Sequence, residues 1–213
     1  MMLKKGLNLI KNYSINFDLP ERLVKNINFI IVHYTGMKNE NAAINKLCNS
    51  KSKVSSHYFI KKNGEIMILV PENYIAWHAG KSRWKRFNFL NKNSIGIEIH
   101  NPGHSHGYKG FSKNQIYSLK KLLKFLMKNY KITKDNVLGH SDIAPERKKD
   151  PGEKFPWKEL AKQKIGLWHS ISLEMLKKNR GIRLNKISEN MFYKNLSRIG
   201  YMPERLKNLR NQR

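Results

Sequence analysis

The run NFIIVHYTG at residues 28–36 constrains the fold more than any other stretch. Phe29, Ile30, Ile31 and Val32 form a β-branched apolar run that is entered from polar chain and closed by Thr35 and Gly36. Such a run reads as a buried strand with His33 at its far end. SIGIEIHN at 94–101 is a second strand of the same kind, with Glu98 inside it. Between them NENAAINKLCNS reads as a short helix, and VSSHYFIKKNGEIMILVPE as a hairpin with Asn63-Gly64 as a type I′ turn. An aromatic and glycine-bearing loop, YIAWHAGKSRWKRFNFLN, then leads into the second strand.

Ser112 is the expected N-cap of a helix in which Ile116, Leu119, Leu122, Leu123, Leu126 and Met127 form one apolar stripe. NVLGH reads as a short strand ending at His140, and FPWKELAKQKIG as a closing helix with Pro156 at its start and Gly166 past its end. Strands alternating with helices predict an α/β protein, a single domain with a central mixed sheet flanked by helices. The expected division is an N-terminal extension over 1–27, a main domain over 28–168 and a basic helical appendage over 169–213. In the appendage SENMFYKNLSRIG is the clear amphipathic segment, expected to be capped by Ser188 and stopped by Gly200.

The chain of 213 residues carries 42 Lys and Arg against 15 Asp and Glu, a net charge of +27. That charge suits any polyanion, including cell-wall polymers and anionic surfaces. It argues poorly for nucleic acid as the partner, because the lysines are spread along the chain and no nucleic-acid-binding motif accompanies them. Cys48, alone of its type, rules out an internal disulfide and falls in the first helix as a packing residue. No run approaches the length of a membrane span. The N-terminus lacks a sustained apolar segment after Lys4 and Lys5, so the expected place of action is the cytoplasm, or the periplasm or exterior if a leader precedes the sequence.

Candidate chemistry begins with the histidines. His33 and His140 both end short apolar strands, where sheets present side chains to a cleft. Asp150, ten residues beyond His140 in GHSDIAPERKKDPG, can return along that loop to the same point. Two imidazoles and one carboxylate would fill three positions of a tetrahedral site and leave one open. Strand-end histidines are more often hydrogen-bonded core members, so spacing alone leaves the metal as the minority reading. Glu98 strengthens it, since a carboxylate within an apolar strand is costly unless it is paired or functional.

Five ordered motifs then match a known family. VHYT at 32–35, SSHYFI at 55–60, AWHAG at 76–80, SIGIEI at 94–99 and GHSDIAPERKKDPG at 139–152 resemble the zinc-dependent N-acetylmuramoyl-L-alanine amidases of the AmpD/AmiD type. The resemblance spans roughly residues 28 to 168. It implies one Zn2+ per chain held by His33, His140 and Asp150, with Glu98 as catalytic carboxylate and Lys148 as partner of the oxyanion. The implied reaction is hydrolysis of the amide between N-acetylmuramic acid and L-alanine, in peptidoglycan or in muropeptides, 1,6-anhydro forms included. His57, Trp77, His78 and His100 are the expected substrate contacts, while Trp84 is either a second cleft aromatic or a loop anchor. A non-catalytic wall-binding module is the alternative, disfavoured because His33, His140 and Asp150 are all present together with Glu98.

Three features depart from the family pattern. His100 stands where relatives often carry an acid, Ser56 stands where phage-type relatives place a tyrosine, and the tail is shorter than a wall-binding domain. His104 and His106, in NPGHSHGYKG, read as parts of a polar loop.

Overall fold

The computed structural model describes residues 9–183 and 185–202. In chain order the strands are β1 (Leu9–Lys11), β2 (Phe17–Asp18), β3 (Phe29–Tyr34), β4 (Tyr58–Ile60), β5 (Ile66–Ile68), β6 (Ile75–Ala76), β7 (Arg83–Trp84), β8 (Phe87–Asn88), β9 (Ser94–Ile99) and β10 (Val137–Gly139). The helices are α1 (Glu40–Cys48), α2 (Lys113–Tyr130), α3 (His140–Ile143), α4 (Trp157–Ala161), α5 (Leu173–Arg180) and α6 (Lys186–Ile199). Six strands form one sheet in the order β1-β5-β4-β9-β3-β10, and two short ribbons, β2 with β6 and β7 with β8, stand apart from it. Only β4 and β5 run antiparallel within the sheet, so it is mixed, as expected.

The two central strands carry the design. β3 and β9 pair in parallel with Ile30 opposite Ile95, Val32 opposite Ile97 and His33 opposite Glu98. Because side chains alternate between faces, Ile30, Val32, Ile95, Ile97 and Ile99 all point one way and pack on Leu119, Leu122, Leu123 and Leu126 of α2. The other face takes Phe29 and Ile31 into a cluster with Trp84, Leu90, Leu138 and Ile143, and takes His33 and Glu98 at the strands' carboxyl ends. A third cluster seats α1 through Ala43, Ile44 and Leu47 on Phe59 and Met67. Cys48 is half-buried beside it, in keeping with a packing role.

Helix α2 begins as the sequence predicts: the Ser112 hydroxyl accepts from Gln115 N–H and the Gln115 side chain accepts from Ser112 N–H, a reciprocal cap. Other boundaries differ from expectation. The β4–β5 turn is not type I′, which needs positive φ at both central residues; Gly64 has φ 91° but Asn63 does not share it. The hairpin closes instead around three residues, with Gly64 N–H donating to Lys61 and Lys61 N–H donating to Glu65. α6 starts earlier than read, because Asn185, not Ser188, supplies the capping oxygen, and it accepts from Ser188 N–H. α5, opened by Ser172, has no counterpart in the sequence reading.

Of the segment taken as an N-terminal extension, residues 9–27 are described, and they pack on the domain. β1 pairs with β5 at the sheet edge, and Arg22 is buried, donating to the carbonyls of Glu72, Asn91 and Ser94 at 2.9, 3.0 and 2.7 Å.

Candidate metal centre and cleft

His33 leaves the end of β3, and His140 opens the single turn α3 directly after β10, the strand beside it. The loop then doubles back. Arg147 N–H and Lys148 N–H both bond Ala144 O, Arg147 Nη2 reaches Ala79 O at 2.6 Å and Lys81 O at 2.7 Å, and Ser141 N–H takes Asp150 O at 2.8 Å. These bonds bring Asp150 against both imidazoles, with His33 Nδ1 and His140 Nδ1 at 3.0 and 3.1 Å from its Oδ2 and 2.9 Å from each other. All three side chains are buried, and their donor atoms lie within 4.8 Å of one another.

The partners of the outer ring nitrogens favour one arrangement of the protons. His140 Nε2 faces the carbonyl of Ala79 at 3.1 Å, which can only accept, and lies 3.4 Å from Arg147 Nη2; a ring carrying its proton toward that carbonyl leaves Nδ1 bare. Ser94 donates its hydroxyl to Leu90 O at 2.6 Å and can therefore accept from His78 Nε2 at 3.3 Å. His78 Nδ1 then accepts from His33 Nε2 at 3.1 Å, and His33 Nδ1 is bare as well. Burial, with His140 alongside, pushes the His33 pKa down to about 4, which keeps that ring neutral. Burial would raise Asp150, but in the metal-free protein a proton carried toward it by either imidazole outweighs that and holds its carboxylate well below the usual range. Two nitrogen lone pairs and a carboxylate oxygen thus converge on one point. A cation suits that point, and the N, N, O set fits zinc, with the second nitrogen of His140 on a backbone carbonyl, as is typical of metal-bound histidines, and that of His33 on His78.

Glu98 stands next to His33 across the β3–β9 pair. Its Oε2 is buried without a hydrogen-bond partner, and burial, reinforced by the Asp150 charge, raises its pKa to about 8. Lys148 and Lys46 pull in the opposite direction. A cleft of about 450 Å3 opens over these groups, lined by His33, Glu98, His140, Lys148 and Asp150 among others.

The expected substrate contacts separate into two groups. Trp77 lines the cleft, its indole N–H fixed on Asp18 at 2.7 Å; His78 also lines it but is 9% exposed and spends both ring nitrogens on His33 and Ser94. His57 is not among the residues lining the cleft: it is fully buried one residue before β4, accepting from Gly96 N–H at 2.9 Å, with its ring against that of His78. His100 is outside the cleft lining too, since it lies one residue past the end of β9, with its carbonyl held by Gln115 of α2. Trp84 is 2% exposed and anchors the second cluster. Gly96 explains part of this arrangement, since a Cβ there would lie 2.4 Å from the His78 ring.

The sequence reading missed a string along the cleft rim. Tyr34 donates to His104 Nδ1 at 2.8 Å, His104 Nε2 meets Glu153 at 2.9 Å, and the His104 ring stacks on Tyr108 at 4.5 Å. His104 lines the cleft, and the string ties the 101–110 loop to the chain just past Asp150. Nothing in NPGHSHGYKG marks it, because its partners are about fifty and seventy residues away.

Fold and site together define a class: a mixed α/β sheet whose parallel strands end in a His–His–Asp metal-type centre with a buried glutamate beside it. Residues 23–153 match the profile of the N-acetylmuramoyl-L-alanine amidase family (Amidase_2), and the chain belongs to that family. N-acetylmuramoyl-L-alanine amidase AmiD of Escherichia coli is 42% identical over 154 residues, which cover 67% of this chain and 55% of AmiD. The 1,6-anhydro-N-acetylmuramyl-L-alanine amidase AmpD of Haemophilus influenzae is 42% identical over 106 residues, covering 49% of this chain and 55% of that protein. The chain thus spans about half the length of the curated relatives it matches. The structure of E. coli AmiD in complex with the substrate anhydro-N-acetylmuramic acid-L-Ala-D-gamma-Glu-L-Lys aligns with a TM-score of 0.69 and 34% identity, over 83% of this chain and 72% of that one. AMPDH3 of Pseudomonas aeruginosa aligns with a TM-score of 0.71 and 31% identity, over 90% and 81%. Among the described residues no helix is long and apolar enough to cross a membrane.

Proposed function

We propose that the protein is a zinc-dependent amidase that hydrolyses the bond between N-acetylmuramic acid and L-alanine, in peptidoglycan or in muropeptides that include 1,6-anhydro forms. The observation that carries this reading is the convergence of His33, His140 and Asp150 beside Glu98, whose Oε2 is unpartnered, in the lining of an open cleft. Family membership and the AmiD complex with an anhydromuramyl tripeptide support the choice of substrate.

His33, His140 and Asp150 would hold the zinc, and the ion would supply Lewis acidity toward the scissile carbonyl and ease ionisation of a water molecule. Glu98 takes the proton from the attacking water and returns it to the departing alanine nitrogen, so atoms and charge balance over the reaction. Without the metal its pKa is raised to about 8; a bound cation would lower it toward neutrality, where the group can take a proton and return it. Lys148 lines the same cleft and stabilises the negative charge that develops on the carbonyl oxygen. Trp77 presents an aromatic wall to the sugar or the peptide, while His78 serves by fixing the tautomer and tilt of His33.

The test is direct. Purified protein is incubated with a muramyl peptide, with and without a chelator, and free stem peptide is sought by mass spectrometry. Chelator-sensitive release is expected; intact substrate from folded, zinc-loaded protein would sink the reading.

A further inference from the structure

We propose that Tyr201, in the basic appendage and beyond the family match, is a positioning residue for the metal centre, acting through Asp142 on α3 and so on the aim of His140. The proposal rests on the metal reading above.

Asp142 uses both of its oxygens. Oδ2 accepts from Gly139 N–H at 2.8 Å and caps the single turn that carries His140, while Oδ1 accepts from the Tyr201 hydroxyl. α3 has four residues, and one bond, from Ala144 N–H to His140 O at 3.0 Å, closes its backbone. A turn that short has no stability of its own, so its geometry follows its cap. His140 follows the cap because its backbone is the first residue of that turn.

Tyr201 is itself held firmly enough to set the cap. Its ring meets Trp84 edge-on at 4.7 Å and 74°, and Lys85 N–H donates to the preceding carbonyl, Gly200 O, at 2.8 Å. Gly200 sits at φ 140°, and a Cβ there would lie 2.5 Å from the Trp84 ring, so the Gly200-Tyr201 pair fits against Trp84 in one way. Trp84 shares its cluster with Ala79, Leu138 and Ile143. Ala79 O is the acceptor for His140 Nε2, so both ends of His140, its ring and its turn, are referred to the same cluster. Removing the Tyr201 hydroxyl frees Asp142 Oδ1 and loosens the turn that sets the His140 ring against His33 and Asp150.

The experiment uses the full chain and measures zinc affinity by competition with a chromophoric chelator, alongside the melting temperature of the metal-free protein. Tyr201→Phe is expected to weaken zinc binding about tenfold, the lower end of what loss of outer support for a ligand produces. Tyr201→Leu, which also loses the Trp84 contact, melts lower than Tyr201→Phe yet weakens zinc to the same degree. Asp142→Asn offers one acceptor oxygen where two are needed and weakens zinc at least as much. Adding Tyr201→Phe to Asp142→Asn produces no further loss, because both act along one path. Wild-type affinity in Tyr201→Phe, or affinities that merely track melting temperature across the series, would overturn the proposal. A wild-type chain that binds no zinc would overturn the metal reading and this proposal together, a result separate from either of those.

Discussion

On the face of the sheet that meets α2, Ile30, Val32, Tyr58, Ile60, Ile95, Ile97 and Ile99 are all buried apolar side chains, and α2 answers with four leucines. On the opposite face the same strands begin in kind, with Phe29 and Ile31, and then turn polar at their carboxyl ends with His33 and Glu98. The pairing is continuous across both faces, so backbone geometry does not explain the difference. The second face has a neighbour to answer to: α3 and the Asp150 loop lie over it and complete the centre. One face is specified by volume and apolarity, which many residues satisfy; the other is specified atom by atom.

Substitutions should therefore separate the faces. The largest effect is expected at the centre itself. Asp150→Ala removes the only anionic donor and should abolish both zinc retention and turnover; full zinc occupancy in that variant, measured by elemental analysis, would refute the ligand assignment. Next comes Glu98→Gln, expected to keep zinc while losing about 10³-fold in kcat, the scale typical of a general acid–base group. On the α2 face Leu122→Ala should do the reverse. It should cost about 2–5 kcal/mol of stability through the cavity it leaves, with kcat unchanged in the remaining folded protein. Equal losses of activity from Leu122→Ala and Glu98→Gln at matched folded fraction would break the contrast.

The same contrast governs what the sequence disclosed. The α2 face was legible because burial of volume leaves a periodic trace: NFIIVH, SIGIEI and the leucine stripe behind Ser112 predict β3, β9 and α2 nearly to the residue. The metal-type set and Glu98 came from family motifs more than from spacing, since ten residues of irregular loop do not by themselves say that Asp150 returns to His140. Hidden from the sequence were contacts between distant segments with no period: Arg22 beneath Ser94, His78 behind His33, Tyr201 on Asp142. The direction His57 faces is hidden for the same reason. A histidine just before a strand can face either way, and here it takes a hydrogen bond from Gly96, 39 residues on. α3 escaped because one helical turn is too short to carry a stripe.

The smallest effect expected is one of pH on the metal-free protein, and it sharpens the contrast further. Glu98 has a folded pKa of about 8, above its ordinary value, so the folded state binds its proton more tightly than the unfolded state does. Its contribution to stability is full at low pH and is lost as pH rises toward 8. His33 works the other way: its folded pKa of about 4 lies below its ordinary value, so its neutral form favours folding, and that contribution is lost on acidification below about 6.5. The two oppose each other under acid conditions, but above pH ~6.5 the histidine no longer changes and Glu98 acts alone. Between pH ~6.5 and ~8 the metal-free protein should lose on the order of 2 kcal/mol, and Glu98→Gln should remove that slope while Leu122→Ala keeps it. Chemical denaturation at a series of pH values measures this directly. Parallel slopes in wild type and Glu98→Gln would mean that the Glu98 carboxylate is already ionised on the unoccupied sheet face, and that this face tolerates charge more readily than its burial implies.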